Sequence, residues 1–185
     1  MTTASHAPAS HARMIRLRDL ESACSIADPQ EADAFRRRYS VLFADEATSR
    51  HGGLGVVTCV TNAYGERLAL KTLLPVAGAE RHPQGSTVVD SRRADALTLA
   101  FRREYESHRA LLGLACVPRL YGFGTADGSP AILMEWVEGK TLARVRDELA
   151  VDGAGRVSPP VVAALGRDLF DMLAALAAAS EPVVH

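Results

Sequence analysis

Hydrophobic positions change rhythm along the chain, and each rhythm predicts an element. From Met1 to about Ser40 the residues are mostly polar, with Arg36, Arg37 and Arg38 before Tyr39, a pattern that predicts a partly disordered leader followed by a short helix. Tyr39–Phe43, Gly55–Asn62 and Glu66–Leu73 are short runs of Val, Leu, Thr and aromatics, and Ala63-Tyr64-Gly65-Glu66 separates the last two. They predict an antiparallel meander. Pro75 to Ser91 has no periodicity and predicts an exposed loop. Arg92–Leu112 follows a helical repeat in which Leu97, Phe101, Glu104, His108 and Leu111 share one face, with Glu104 at its centre.

After Pro118, the runs Arg119–Gly124 and Ala131–Val137 flank the turn Asp127-Gly128-Ser129-Pro130, predicting a hairpin and bringing the sheet to five strands. A short helix is expected over Leu142–Leu149, broken by Asp152-Gly153-Ala154-Gly155. Ser158 caps a last helix opened by Pro159 and Pro160, with an apolar stripe of Val162, Leu165, Leu169, Met172 and Leu176. The expected class is α+β.

Composition narrows the function more than the fold. Over 185 residues, 48% are hydrophobic and 23% charged, close to ordinary globular values and far from bulk disorder. A net charge of -1 gives no electrostatic case for nucleic acid or an anionic membrane. Met1 to Arg13 lacks the apolar centre of a signal peptide. The most apolar stretch, Val161 to Ala179, contains Arg167, Asp168 and Asp171, so no membrane span is expected. Cys24, Cys59 and Cys116 fit neither a disulfide framework nor a zinc set, and point to a reducing, cytoplasmic setting. Lys71 and Lys140 are the only lysines beside nineteen arginines. A lysine at a given position has a chance of roughly 1% from composition, so its placement is informative.

A loop that wraps phosphates needs glycines, because side chains keep the backbone amides from approaching the oxygens. Gly52, Gly53 and Gly55 supply that loop between two expected strands, Val57 follows two residues later, and Leu68-Ala69-Leu70-Lys71 lies in the next strand. By themselves these are a hairpin turn and a strand lysine. In this order and spacing, Gly52-Gly53-Leu54-Gly55-Val56-Val57 resembles the glycine-rich loop of the eukaryotic-type (bacterial serine/threonine) protein kinases. Leu68-Ala69-Leu70-Lys71 resembles their Val-Ala-Ile-Lys strand. Ile132 to Gly139 resembles their fifth strand and hinge, and Pro182-Val183-Val184-His185 the approach to their catalytic loop.

The resemblance covers about Tyr39 to His185. It implies a kinase-like amino-terminal lobe over 39–137, a leader over 1–38, and a hinge exit with the first helices of an incomplete second lobe over 138–185. It also implies ATP, with Mg²⁺ held by residues beyond His185, and transfer of the γ-phosphoryl to a protein hydroxyl in the complete enzyme. Lys71 would hold the α- and β-phosphates and Glu104 would orient it; Glu106, about 200° away around the helix, points off the apolar face. Val57 and Ala69 would cover the purine, Met134 would be the gatekeeper, and the backbone of Glu135 and Val137 would meet the adenine edge. Thr141 falls where the family often contacts the ribose.

Three departures stand out. Arg50 replaces the first loop glycine, residues Pro75 to Asp95 enlarge the connection before the helix, and His108 takes an aliphatic position. With no catalytic Asp in it, the chain alone is expected to be inactive. A small-molecule phosphotransferase of aminoglycoside or choline kinase type shares the same lobe, and a non-catalytic nucleotide-binding module is the third reading.

Overall fold

The structure, a computed structural model, describes residues 12–53, 55–73, 87–150 and 156–179. Leu54, most of the expected Pro75–Ser91 loop, the 152–155 break and the closing Pro182 to His185 lie outside the described residues. Among the described residues ten elements follow one another: β1 (Arg13–Ser22), α1 (Pro29–Tyr39), β2 (Val41–His51), β3 (Gly55–Asn62), β4 (Arg67–Leu73), α2 (Thr87–Arg109), β5 (Leu120–Ala126), β6 (Ser129–Glu135), α3 (Leu142–Leu149) and α4 (Pro159–Ala177). The protein is α+β, and its sheet has six strands rather than the expected five. They close into a barrel in the order β1-β2-β3-β4-β6-β5, each neighbouring pair antiparallel.

The sixth strand is β1, inside the stretch expected to be a leader. Ile15, Leu17 and Leu20 bury themselves in the barrel interior while the arginines between them stay outside. Its first half pairs with β2 and its second with β5. Between them the register shifts from Arg18 to Glu21, and Asp19 takes φ 50°, the extra residue of a bulge. The crossing is close. A Cβ at Gly122 would lie 2.3 Å from the Glu21 carbonyl oxygen, and one at Gly124 2.7 Å from that of Arg18. Only glycine admits β1 there.

Helix α1 starts where Asp28 accepts a hydrogen bond from the Gln30 amide at 2.8 Å with Pro29 in the first turn, and Arg36, Arg37 and Arg38 complete its last turn. Tyr39, expected to open a strand, is instead the helix's last residue, packed with Phe35 and Tyr121 on the barrel cluster. Strand β2 begins after it and runs on to His51, well past the expected Phe43. The β5–β6 turn is the two residues Asp127 and Gly128, with φ 50° and 82°. Ser129 and Pro130 belong to the strand.

Two cores lie on the two faces of the sheet. Leu42, Val60, Leu68, Leu70, Ala131 and Leu133 fill the interior. On the outer face, Phe101 and Tyr105 of α2 pack against Leu73, Leu120 and Ile132. The buried centre of α2 is thus Phe101 and Tyr105. At about 100° per residue, Glu104 sits some 60° to one side of Phe101, on the shoulder of the face and not at its centre. Among the described residues no helix is long and apolar enough to cross a membrane.

Candidate functional site

Strand periodicity assembles the site. Residues directly opposite in an antiparallel ladder share a face, and Gly55↔Leu73, Val57↔Lys71 and Cys59↔Ala69 are such pairs between β3 and β4. Ala69↔Met134 and Lys71↔Ile132 carry the same face across to β6. Leu68 and Leu70 point the other way, into the barrel. Val57, Ala69, Lys71 and Met134 therefore line one outer surface, beside the helix that packs on Ile132 and Leu73. Cys59 lies between Val57 and Ala69 on that surface; its period-two spacing from Val57 was the signal for it in the sequence.

Lys71 meets Glu104 across this surface: its Nζ donates to Glu104 Oε1. The lysine side chain is 18% exposed and the carboxylate 38%. The ammonium also stands 5.8 Å from the centroid of the Phe101 ring, whose negative face favours a cation. Glu106 does not compete; it pairs with Arg102 and Arg109 on the solvent side of the helix. His108 is partly buried. Its Nε2 lies 2.7 Å from the Pro118 carbonyl oxygen and ties the end of α2 to the loop before β5.

The glycines divide by role. At Gly55 a Cβ would come 2.4 Å from the Thr72 carbonyl oxygen, so strand packing alone requires a glycine there. A Cβ at Gly53 would meet nothing within 4 Å among the described residues, so packing there does not require a glycine. The turn is closed by the Gly52 amide donating to the Gly55 carbonyl at 2.8 Å. Arg50 folds its guanidinium back onto the Ser49 carbonyl at 3.0 Å. It pairs with Val57 in the β2–β3 ladder.

At the strand exit, the Glu135 amide donates to the Arg119 carbonyl at 2.7 Å, and its carboxylate accepts from the Arg119 amide at 2.9 Å. Val137 is 62% exposed. Arg67 stacks 5.7 Å from the Trp136 ring centroid and pairs with Glu138, holding this segment against β4. The Trp136 indole N–H is buried without a hydrogen-bond partner among the described residues. Thr141 serves the local fold, its hydroxyl accepting the Arg144 amide at 3.3 Å as the cap of α3.

Burial pushes the Tyr105 phenol up from its ordinary range. The three cysteines are free. A scan against protein-family models finds no match, and a search of the curated proteins finds none either.

Proposed function

We propose that the outer face of β3, β4 and β6 binds an adenine nucleotide as the ATP-binding part of a cytoplasmic phosphotransferase of the protein kinase type. The supporting observation is the Lys71–Glu104 ion pair, set on the same face as Val57, Ala69 and Met134, with the glycine turn leading into β3. An ammonium fixed by a carboxylate from another element is a preorganised donor for phosphate oxygens, since its direction is set before the ligand arrives. Ala69, with its single methyl, leaves room for a flat ring that Val57 and Met134 would flank. The backbone of Glu135 and Val137 would supply the acceptor and donor an adenine edge needs. Bound nucleotide brings the transferable phosphoryl, with Mg²⁺ as its counterion; this chain's residues would hold and orient the phosphates. A protein hydroxyl is the acceptor that the resemblance implies.

The test is melting temperature with and without ATP and Mg²⁺. A ligand at ten times its Kd stabilises the native state by about 1.4 kcal/mol, which for a domain of this size raises the midpoint by roughly 3–6 °C. Lys71→Met should abolish that rise while leaving the nucleotide-free midpoint close to wild type. No rise at millimolar ATP, or an equal rise in Lys71→Met, would sink the proposal.

A further inference from the structure

Glu104 can hold Lys71 only as well as α2 is held on the sheet, and the nucleotide reading gives the Arg102 guanidinium on that helix no role. Arg102 stands two residues before Glu104. Its Nη2 donates to Glu21 Oε2 of β1 at 2.9 Å, and its Nε lies 3.2 Å from Glu106 Oε1. Its Cζ is 4.6 Å from the centroid of Phe123 in β5 and 5.2 Å from that of Tyr105. A planar guanidinium can stack on ring faces and still spend its in-plane N–H groups on carboxylates. Arg102 thus touches α2, β5 and β1 at once.

The bulge in β1 makes this possible. The register shift between Arg18 and Glu21 sets Glu21 directly opposite Phe123, the ring under the guanidinium. In unbroken alternation Glu21, three residues after the exposed Arg18, would fall on the opposite face; the bulge returns it to the outer one. The glycines at 122 and 124 let the bulged strand approach closely enough for the carboxylate to reach.

We propose that Glu21 and Arg102 are positioning residues, forming a strap by which β1 sets the seat of α2 and so keeps Glu104 on Lys71. The consequence for nucleotide rests on the function proposed above; the hold on α2 does not. The strap also makes the amino-terminal strand a control point for the site, because whatever draws Glu21 away loosens the helix carrying Glu104.

The test uses the full chain with Glu21→Asp, Glu21→Gln and Glu21→Lys. Amide hydrogen exchange without nucleotide should quicken over residues 97–106 by roughly two- to fivefold in Glu21→Gln, the range expected of an exposed ion pair. It should quicken further in Glu21→Lys, stay near wild type in Glu21→Asp, and leave the strands of the barrel unchanged. The Kd of a fluorescent ATP analogue should weaken in the same order at constant melting temperature. Exchange over α2 that is equal in wild type and Glu21→Lys overturns the strap. Faster exchange with an unchanged Kd overturns its link to the site. If wild type fails to bind the analogue at all, the nucleotide reading falls, and the exchange result still decides whether Glu21 holds the helix.

Discussion

Leucines of the barrel and leucines of the carboxyl-terminal helices meet opposite fates. Leu42 and Leu133 are 0% exposed, whereas Leu165 and Leu169 are 38% and 49% exposed. Neither α3 nor α4 buries a single residue. Between them runs an apolar groove of about 720 Å³ lined by Leu142, Leu149, Leu165 and Leu169. Both regions carry apolar stripes at the right period, so the stripe marks only which face needs cover. Cover comes from topology: the barrel closes on itself through β1, and α2 covers the outer face around Leu73, Leu120 and Ile132, while α4 presents the same kind of stripe to solvent.

The sharpest way to break this contrast is to make one substitution in both places. Leu133→Ala should cost about 2–5 kcal/mol, the range for truncating a fully packed leucine. Leu169→Ala should change stability by less than about 0.5 kcal/mol, as an exposed position does. Urea unfolding followed by circular dichroism compares them directly. Equal losses would mean that α4 is packed in solution and that the contrast is wrong.

A second substitution sharpens what closes the barrel. Gly122→Ala places a methyl where the Glu21 carbonyl oxygen stands 2.3 Å away, and a backbone oxygen in a paired strand cannot step aside cheaply. A loss of about 1–3 kcal/mol is expected from overpacking, with hydrogen exchange rising first along β1. Gly166→Ala on α4 meets nothing within 4 Å and should gain helix propensity, stabilising that helix by up to about 1 kcal/mol. Opposite signs for one change of side chain would follow from cover alone. If Gly122→Ala is neutral, β1 is not seated as described.

The same distinction explains what could be read from the sequence. Strand β3 and helix α3 fall on the expected residues, because a short run of Val and Thr ended by a turn, and a Thr141 cap, are local signals. Lys71 and Glu104 come together as expected because the strand and the helix that carry them both form. Strand β1 was hidden because its bulge at Asp19 breaks the alternation of Ile15 and Leu17 before Leu20, and arginines fill its outer face. Its trace survived on its partner, as glycines at 122 and 124 on one face of β5. The second half of β2 was hidden similarly: Asp45, Glu46 and Arg50 face solvent, so composition reads as loop. Tyr105 falls outside the stripe of Leu97, Phe101, Glu104, His108 and Leu111, although it is one of the two side chains at the buried centre of the helix. Arg102 and Glu21 left no local signal, since their meeting depends on a bulge and a barrel closure eighty residues apart in sequence.

The smallest expected effect separates the regions by pH. Glu66, after β3, accepts both Nε and Nη2 of Arg38 from α1 and the amide of Asn62. The hydrogen bond from Arg38 leads in holding its carboxyl below the ordinary range, against a smaller opposing effect of burial. On α3, hydrogen bonds from Lys140 and then Arg144 hold the Glu148 carboxyl down in the same way. A depressed carboxyl contributes stability that is present above its unfolded value, about 4.3, and is lost as the pH falls through the folded value. The gap in melting temperature between wild type and Glu66→Gln should therefore be steady from pH 8 to 6 and narrow below about pH 4.5. Glu148→Gln should leave the barrel's melting temperature unchanged at every pH, because the helix it serves covers none of the barrel's core. A gap for Glu66→Gln that persists undiminished to pH 3 would remove the link between α1 and the β3–β4 turn. A gap for Glu148→Gln at neutral pH would show that α3 belongs to the folded unit after all.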